Sequence, residues 1–405
     1  MVISLCLLSA AWSAPIPATI QLLQLARKSG FESGDLENAY RAWVASVMLS
    51  IAAGISLESI EMSCAPLMDQ LTQYRIVSLR SPLESCLAMV QYLRGSAETS
   101  LDWDLIKNTR PREASENLSE INKWRYHCWS YIQLAFFFHE LKIAESLVKP
   151  FQRLAKVEVA TYHTTSILVF YCGLVASGLA RTTGKRKYKR QAKRWTIKMK
   201  AIMQQKGLNN LHRYLLMKAN CLAAERDSQK EFNKVKEAFD KSITVAGRSG
   251  FTQDAAIGNE LAGEYCLLVG DDFWSKHYFS RAYELYLEWG ATVKADHMKE
   301  RRGNYIHLEK LKEKKRRNSM TSNIRDWVLG EDGLLLKSTD LSMLTTTRQE
   351  SIRELSTASF SYARAGTSSS LAGFDRAASS PVPRRQSAPS LLGKELLQSL
   401  VQDVA

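Results

Sequence analysis

Apolar residues recur at helical spacing from about residue 18 to 302, and this periodicity predicts an all-α protein. Leu22, Leu23, Leu25 and Ala26 form one stripe. Ala39, Trp43 and Val47 form a second at single-turn intervals, with small or aromatic residues where helices press together. The pattern divides into helices over 35–54, 56–74, 82–95, 115–140, 142–156, 159–181, 187–206, 208–227, 230–248, 252–269, 272–289 and 291–316. Breakers or caps mark the joints: Gly30, Ser33-Gly34-Asp35, Ser81-Pro82, Pro111, Gly207, Gly250 and Gly270-Asp271-Asp272. Similar helices on short loops favour antiparallel neighbours and a helical array.

Segment 261–291 carries a repeat grammar. Gly270 closes one helix, and Ala282 and Tyr286 fall where a tetratricopeptide repeat places a small and then a bulky residue. Phe239 takes the bulky role in 235–251, and Ala144 the small one in 136–151. The expected architecture is therefore a tetratricopeptide-like α-solenoid of antiparallel helix pairs over 18–302, preceded by an apolar segment at 1–17. From Gly303 the composition shifts. A basic helix extension is expected at 303–317. A Ser/Thr-rich stretch at 318–390 is too poor in apolar surface to offset chain entropy, and disorder is expected there. Residues 391–405 space Leu and Val as a short amphipathic helix suited to docking on a partner.

Composition changes the picture in two places. The formal net charge is +14, but the excess is local: 181–200 hold ten Lys/Arg and no acid, and 310–317 hold six against one Glu. The seven Cys include no CxxC pair and sit partly within apolar helical runs, which suggests a reduced cytoplasmic protein using Cys as a small buried hydrophobe. The N-terminal stretch has the small and apolar residues of a signal peptide. It lacks a preceding Lys or Arg, and Pro15 follows the best cleavage point, so secretion is disfavoured. No apolar run of membrane-spanning length, roughly 18–20 residues, is expected.

Catalytic chemistry finds little support. Gly178 to Lys185 has five residues between its glycines where a phosphate loop needs four, and Arg186 stands in place of the magnesium-holding Ser or Thr. His139-Glu140 begins like a zinc-protease helix, but Ile143 replaces the second ligand. Asp271-Asp272 suits helix capping better than acid–base work. No catalytic, cofactor-binding or metal-ligating residue is expected, and no cofactor.

Binding features are more evident. Lys185, Arg186, Lys187, Lys189, Arg190, Lys193 and Arg194 form a candidate docking patch. One reading is a solvated helix face with Tyr188 and Trp195 turned inward. The other is a surface for nucleic acid, acidic lipid or an acidic protein segment. In the tail, Arg384 and Arg385 precede Ser387 and Pro389 follows it, as at sites of basic-directed kinases and phosphoserine-reading adaptors. Ser319 shares the basic half of that pattern.

Four segments carry a resemblance: Gly30 to Ala39, Leu211-His212-Arg213-Tyr214, Asn259-Glu260-Leu261-Ala262, and Tyr286 to Ala295 with its Trp289-Gly290-Ala291 element. Over about 18–300 they resemble the tetratricopeptide-like helical region of large signalling ATPases. Those proteins place a kinase-like domain and a STAND-type ATPase before the array, and a GAF domain with a histidine kinase or cyclase after it. The chain departs from them in lacking those catalytic modules, and in having Ala219-Asn220 where the family has Ala-Glu. The resemblance therefore implies a coupling role without catalytic activity. The leading expectation is a non-catalytic scaffold in intracellular signalling that binds protein partners through a helical-repeat surface. The alternatives are a regulatory segment of a larger ATPase or kinase and, more weakly, binding of nucleic acid through 181–200. Partner identity and oligomeric state are left open.

Overall fold

The computed structural model of the chain describes residues 14–97, 102–108, 118–154, 162–206, 208–225 and 230–309, and the backbone of 327–329 and 335–337. Its α-helices run in order α1 (Ile16–Ser33), α2 (Leu36–Ala53), α3 (Leu57–Gln73), α4 (Val77–Arg94) and α5 (Trp103–Asn108). Next come α6 (Leu118–Phe137), α7 (Leu141–Leu154), α8 (Tyr162–Thr183), α9 (Arg186–Lys206) and α10 (Leu211–Ala223). The last are α11 (Phe232–Arg248), α12 (Thr252–Val269), α13 (Asp272–Trp289) and α14 (Thr292–Arg302). The helical class expected from the apolar spacing holds.

The ends of several helices follow their capping residues. Gly34, Gly270 and Gly290 each adopt positive φ at a helix C-terminus (79°, 84° and 91°), a conformation glycine reaches without a Cβ clash. Asp271 caps α13 by accepting from the Trp274 amide at 2.9 Å, so its expected role as a cap holds.

Other expectations need correcting. Gly30 is not a breaker: it lies inside α1, where a Cβ would stand 2.9 Å from the Cβ of Ala39 on α2. Its use is close helix contact. Pro82 does not open a helix either. α4 starts at Val77, with Pro82 buried within it. The Leu22–Ala26 stripe is split, since Leu23 is buried while Leu25 is 64% exposed. The helix expected over 291–316 is not continuous: α14 ends at Arg302 and passes into a 3-10 turn at Gly303–Tyr305, while residues 310–317 lie outside the described residues. One apolar stretch is also long enough to cross a membrane, Thr165–Thr183 in α8, but 83% of it is buried inside the fold. Burial of that kind identifies a core helix.

Each large helix packs chiefly on its chain neighbour, most extensively α1 on α2, α8 on α9, α10 on α11 and α12 on α13. Ala144, Phe239, Ala282 and Tyr286, the small and bulky repeat positions, are all fully buried. The five buried Cys, at 64, 86, 128, 172 and 266, are unpaired thiols within the core, as expected of small hydrophobes.

Packing also returns from late helices to early ones. α14 meets α4, and α8 meets α2. α12 is enclosed on nearly all sides: every residue from Gln253 to Gly263 is buried. A helix buried all round cannot be amphipathic, so any polar residue on it must find a partner inside.

Within 318–390, where no order was expected, a short antiparallel ribbon pairs Trp327–Leu329 with Leu335–Lys337. The remainder of that stretch, residues 391–405, Ser319 and Ser387 lie outside the described residues.

Candidate functional site

The polar residues of α12 build two adjoining charge clusters. In the first, Glu260 Oε1 accepts from His139 Nε2 at 2.8 Å and from Lys294 Nζ at 2.7 Å. Its Oε2 accepts from the Tyr286 hydroxyl at 2.7 Å. Lys294 is completely buried and also donates to the carbonyl of Phe137 at 2.7 Å. His139 stands in the turn after α6 with φ of 63°. The ring of His297 on α14 lies 5.9 Å from it.

The second cluster lies nearer the start of α12. Asp254 Oδ2 accepts from His212 Nε2 at 2.7 Å and from Arg213 Nε at 2.8 Å. Arg213 extends to the carbonyl of Ala52 at 2.9 Å, the last residue but one of α2. Gln253 donates to the same carbonyl at 2.9 Å. Phe251 stacks on the His212 ring, centroids 4.2 Å apart.

These contacts share one physical purpose. A helix C-terminus leaves four carbonyls without intrahelical partners and carries partial negative charge. Here the ends of three early helices are capped by side chains from much later in the chain. Arg213 and Gln253 serve α2, Lys294 serves α6, and Thr292 Oγ1 donates to Arg94 at the end of α4. Two of the caps are cations, matching the sign of the dipole.

The same geometry sets the protonation states. Burial alone would raise the Glu260 carboxyl, but the Lys294 charge and the His139 and Lys294 hydrogen bonds outweigh it and hold the group well below the usual carboxylate range. Asp254 behaves alike: burial raises it, and the Arg213 charge with the His212 bond leaves it lowered. Burial pushes both His212 and His139 down against the pull of their carboxylates. His297 is pushed down to about 4 by burial and then by the charge of Lys294. Ionised acids facing neutral histidines are the result.

Between the clusters lies a small cavity lined by Trp129, Gln133, Tyr171, Arg213, Gln253 and Trp289, with about 10 Å³ of free space. That is the room of one water. Among the described residues, no group of three His, Cys, Asp or Glu is placed to hold a metal ion. The Gly178–Lys185 stretch forms no phosphate loop, because Gly178 lies well within α8.

The candidate docking patch forms a surface of a different kind. Lys185, Arg186, Lys187, Arg190, Lys193 and Arg194 are exposed on or beside α9, and Lys189 is half-buried. Tyr188 is buried and Trp195 half-buried, so both aromatics turn inward, as one of the two sequence readings held. The Tyr188 hydroxyl donates to Glu145 Oε2 at 2.8 Å. Met199, two turns beyond Ala192, completes the buried stripe.

His212, Arg213, Glu260, Trp289 and Lys294 all fall in segments that carry the resemblance to signalling ATPases. The sequence assigned them no role, yet a signal was present: Glu260, with Asn259 beside it, interrupts the otherwise small and apolar run Ala255–Ala262. Comparison with family models, curated proteins and solved structures finds no match to the chain.

Proposed function

We propose that the chain is a non-catalytic interaction scaffold of intracellular signalling, built as a tetratricopeptide-like α-solenoid and working in the cytoplasm. Supporting the repeat reading are the sequential packing of helices and the buried small and bulky positions Ala144, Phe239, Ala282 and Tyr286. The observation that carries the function is a division of labour among charges. The acids and bases suited to chemistry are buried in mutual pairs beside a cavity the size of one water. On α9, Arg186, Arg190 and Arg194 face solvent with no ion-pair partner among the described residues. A surface of unpaired cations suits recognition of anionic groups on a partner.

The concave surface usual for a helical array is a poor candidate, because Arg213, Gln253 and Lys294 fill the interior. Partners are expected on outward faces. A phosphoserine-reading adaptor at Ser387 is a further proposed partner. Covalent crosslinking of the full chain in extract, with identification and competition by unlabelled protein, tests the scaffold reading. A reproducible, competable partner is expected; recovery of the chain alone would sink it.

A second reading draws on the same interior. Three of the four segments resembling the helical region of signalling ATPases meet in the buried network, so the chain serves in this reading as a coupling element of such an enzyme. Sequencing the complete transcript discriminates: an in-frame ATPase module upstream supports coupling, and its absence discards it.

A further inference from the structure

The outer crest of α9 holds charges that the fold leaves unused. No Asp or Glu occurs between Arg181 and Glu225, so the helix has no acid of its own. Neighbouring acids reach only its flanks. Glu145 Oε1 lies 3.6 Å from Lys187, and Glu225 Oε1 lies 3.1 Å from Lys193. Arg186, Arg190 and Arg194 succeed one another at single-turn spacing along the exposed side, with about 6 Å of rise at each step. None of the three has an ion-pair partner among the described residues. Like charges at this spacing disfavour the helix that carries them. The row therefore lowers stability in the free protein.

An apolar residue completes the crest. Ile197 is 67% exposed and lies one turn beyond Lys193 and Arg194, with Ala201 exposed a turn further on. Protein interfaces combine Arg with apolar side chains in this way: the apolar contact excludes water around bidentate guanidinium–carboxylate pairs.

We infer that this crest docks an acidic protein segment whose carboxylates pair with Arg186, Arg190 and Arg194 and whose one apolar side chain covers Ile197. The inference rests on the scaffold reading and names its partner chemistry. Two other anionic partners fit less well. Single-stranded nucleic acid needs exposed aromatics for base stacking, but Tyr188 and Trp195 face inward, and a phosphate backbone offers Ile197 nothing. An anionic membrane engages an amphipathic helix through an apolar face. In α9 that face (Tyr188, Ala192 and Met199) is buried in the protein.

The test is fluorescence anisotropy on the full chain with a labelled synthetic peptide, glutamates one turn apart around a single central leucine. A second peptide has the leucine replaced by serine, and parallel probes are oligouridylate and phosphatidylserine-containing vesicles. The expected result is salt-sensitive binding of the first peptide, weakened at least roughly tenfold by R186Q/R190Q/R194Q. Ile197→Ser and loss of the peptide leucine should each weaken binding several-fold, and together no more than either alone. All changes are at exposed positions, and far-UV circular dichroism checks that each variant folds. No peptide binding, or binding indifferent to the triple substitution, overturns the inference, as does tighter binding of oligouridylate or vesicles that ignores Ile197→Ser. Any of these outcomes alongside a crosslinked partner would discard this surface and leave the scaffold reading intact.

Discussion

Trp289 donates its indole N–H to the carbonyl of Ile55 at 3.1 Å, across 234 residues of sequence. The side chain is 2% exposed and packs against Phe137, ring centroids 5.7 Å apart. Trp289→Ala should destabilise the fold by about 3–5 kcal/mol through lost burial and a cavity. Trp289→Phe keeps much of the volume and leaves the Ile55 carbonyl unpaired, for a smaller loss of about 1–3 kcal/mol. Urea denaturation of both variants checks the order; since both lose the hydrogen bond, equal losses would mean that the ring volume adds nothing.

Removing one member of a buried pair strands the other. Lys294→Met leaves Glu260 without its buried ion-pair partner and leaves the Phe137 carbonyl uncapped, a cost of about 3–5 kcal/mol. Glu260→Gln should cost a similar amount. The combination K294M/E260Q should lose clearly less than the sum of the single changes, since neither charge is then left alone. An additive result in the same denaturation experiment counts against direct coupling.

Acid should loosen the fold before most surface carboxylates titrate. His297 falls from 6.5 to about 4 in the folded protein, and burial lowers His139 and His212 as well. Between those limits the unfolded chain binds more protons than the folded one, so stability declines as pH falls. The lowered carboxyls of Glu260 and Asp254 extend the decline in the same direction. Thermal midpoints by circular dichroism should drop steadily from about pH 6.5 to 4; a flat profile there would contradict the buried, neutral histidines.

Gly30→Ala sets two effects against each other. Alanine favours a helix interior by up to about 1 kcal/mol over glycine. Its Cβ, however, would lie 2.9 Å from the Ala39 Cβ and 3.2 Å from its Cα, and backbone cannot move aside as a flexible side chain does. Overpacking costs about 1–3 kcal/mol, so the change should destabilise on balance. Ala39→Gly in the same chain should relieve the clash, and failure to recover any stability would remove the close-contact explanation.

How far the sequence reveals this structure depends on distance along the chain. The α12–α13 boundary was legible, because Gly270 and Asp271 act on backbone groups within a few residues. Gly30 was misread because glycine breaks a helix in one setting and admits a neighbour in another; only the position of Ala39 decides between them. The partners of Arg213 were beyond reach. One is the Ala52 carbonyl, 161 residues earlier, and no local pattern marks a helix end as needing a distant donor. Glu260 was half legible: an acid in an apolar run announces burial without naming Lys294. The inward turn of Tyr188 was readable from its spacing to Ala192 and Met199, whereas the lack of acids facing Arg186, Arg190 and Arg194 depends on which helices lie alongside.

The distant caps also change how such a chain should come apart. An array whose units touch only their neighbours frays from its ends, each unit melting nearly on its own. Here α14 holds the carbonyl ends of α4 and α6, so a late helix completes helices made long before it. Loss of α14 should therefore be felt at α6 as sharply as at α13, and native-state hydrogen exchange should find α4, α6 and α14 opening together as one cooperative unit.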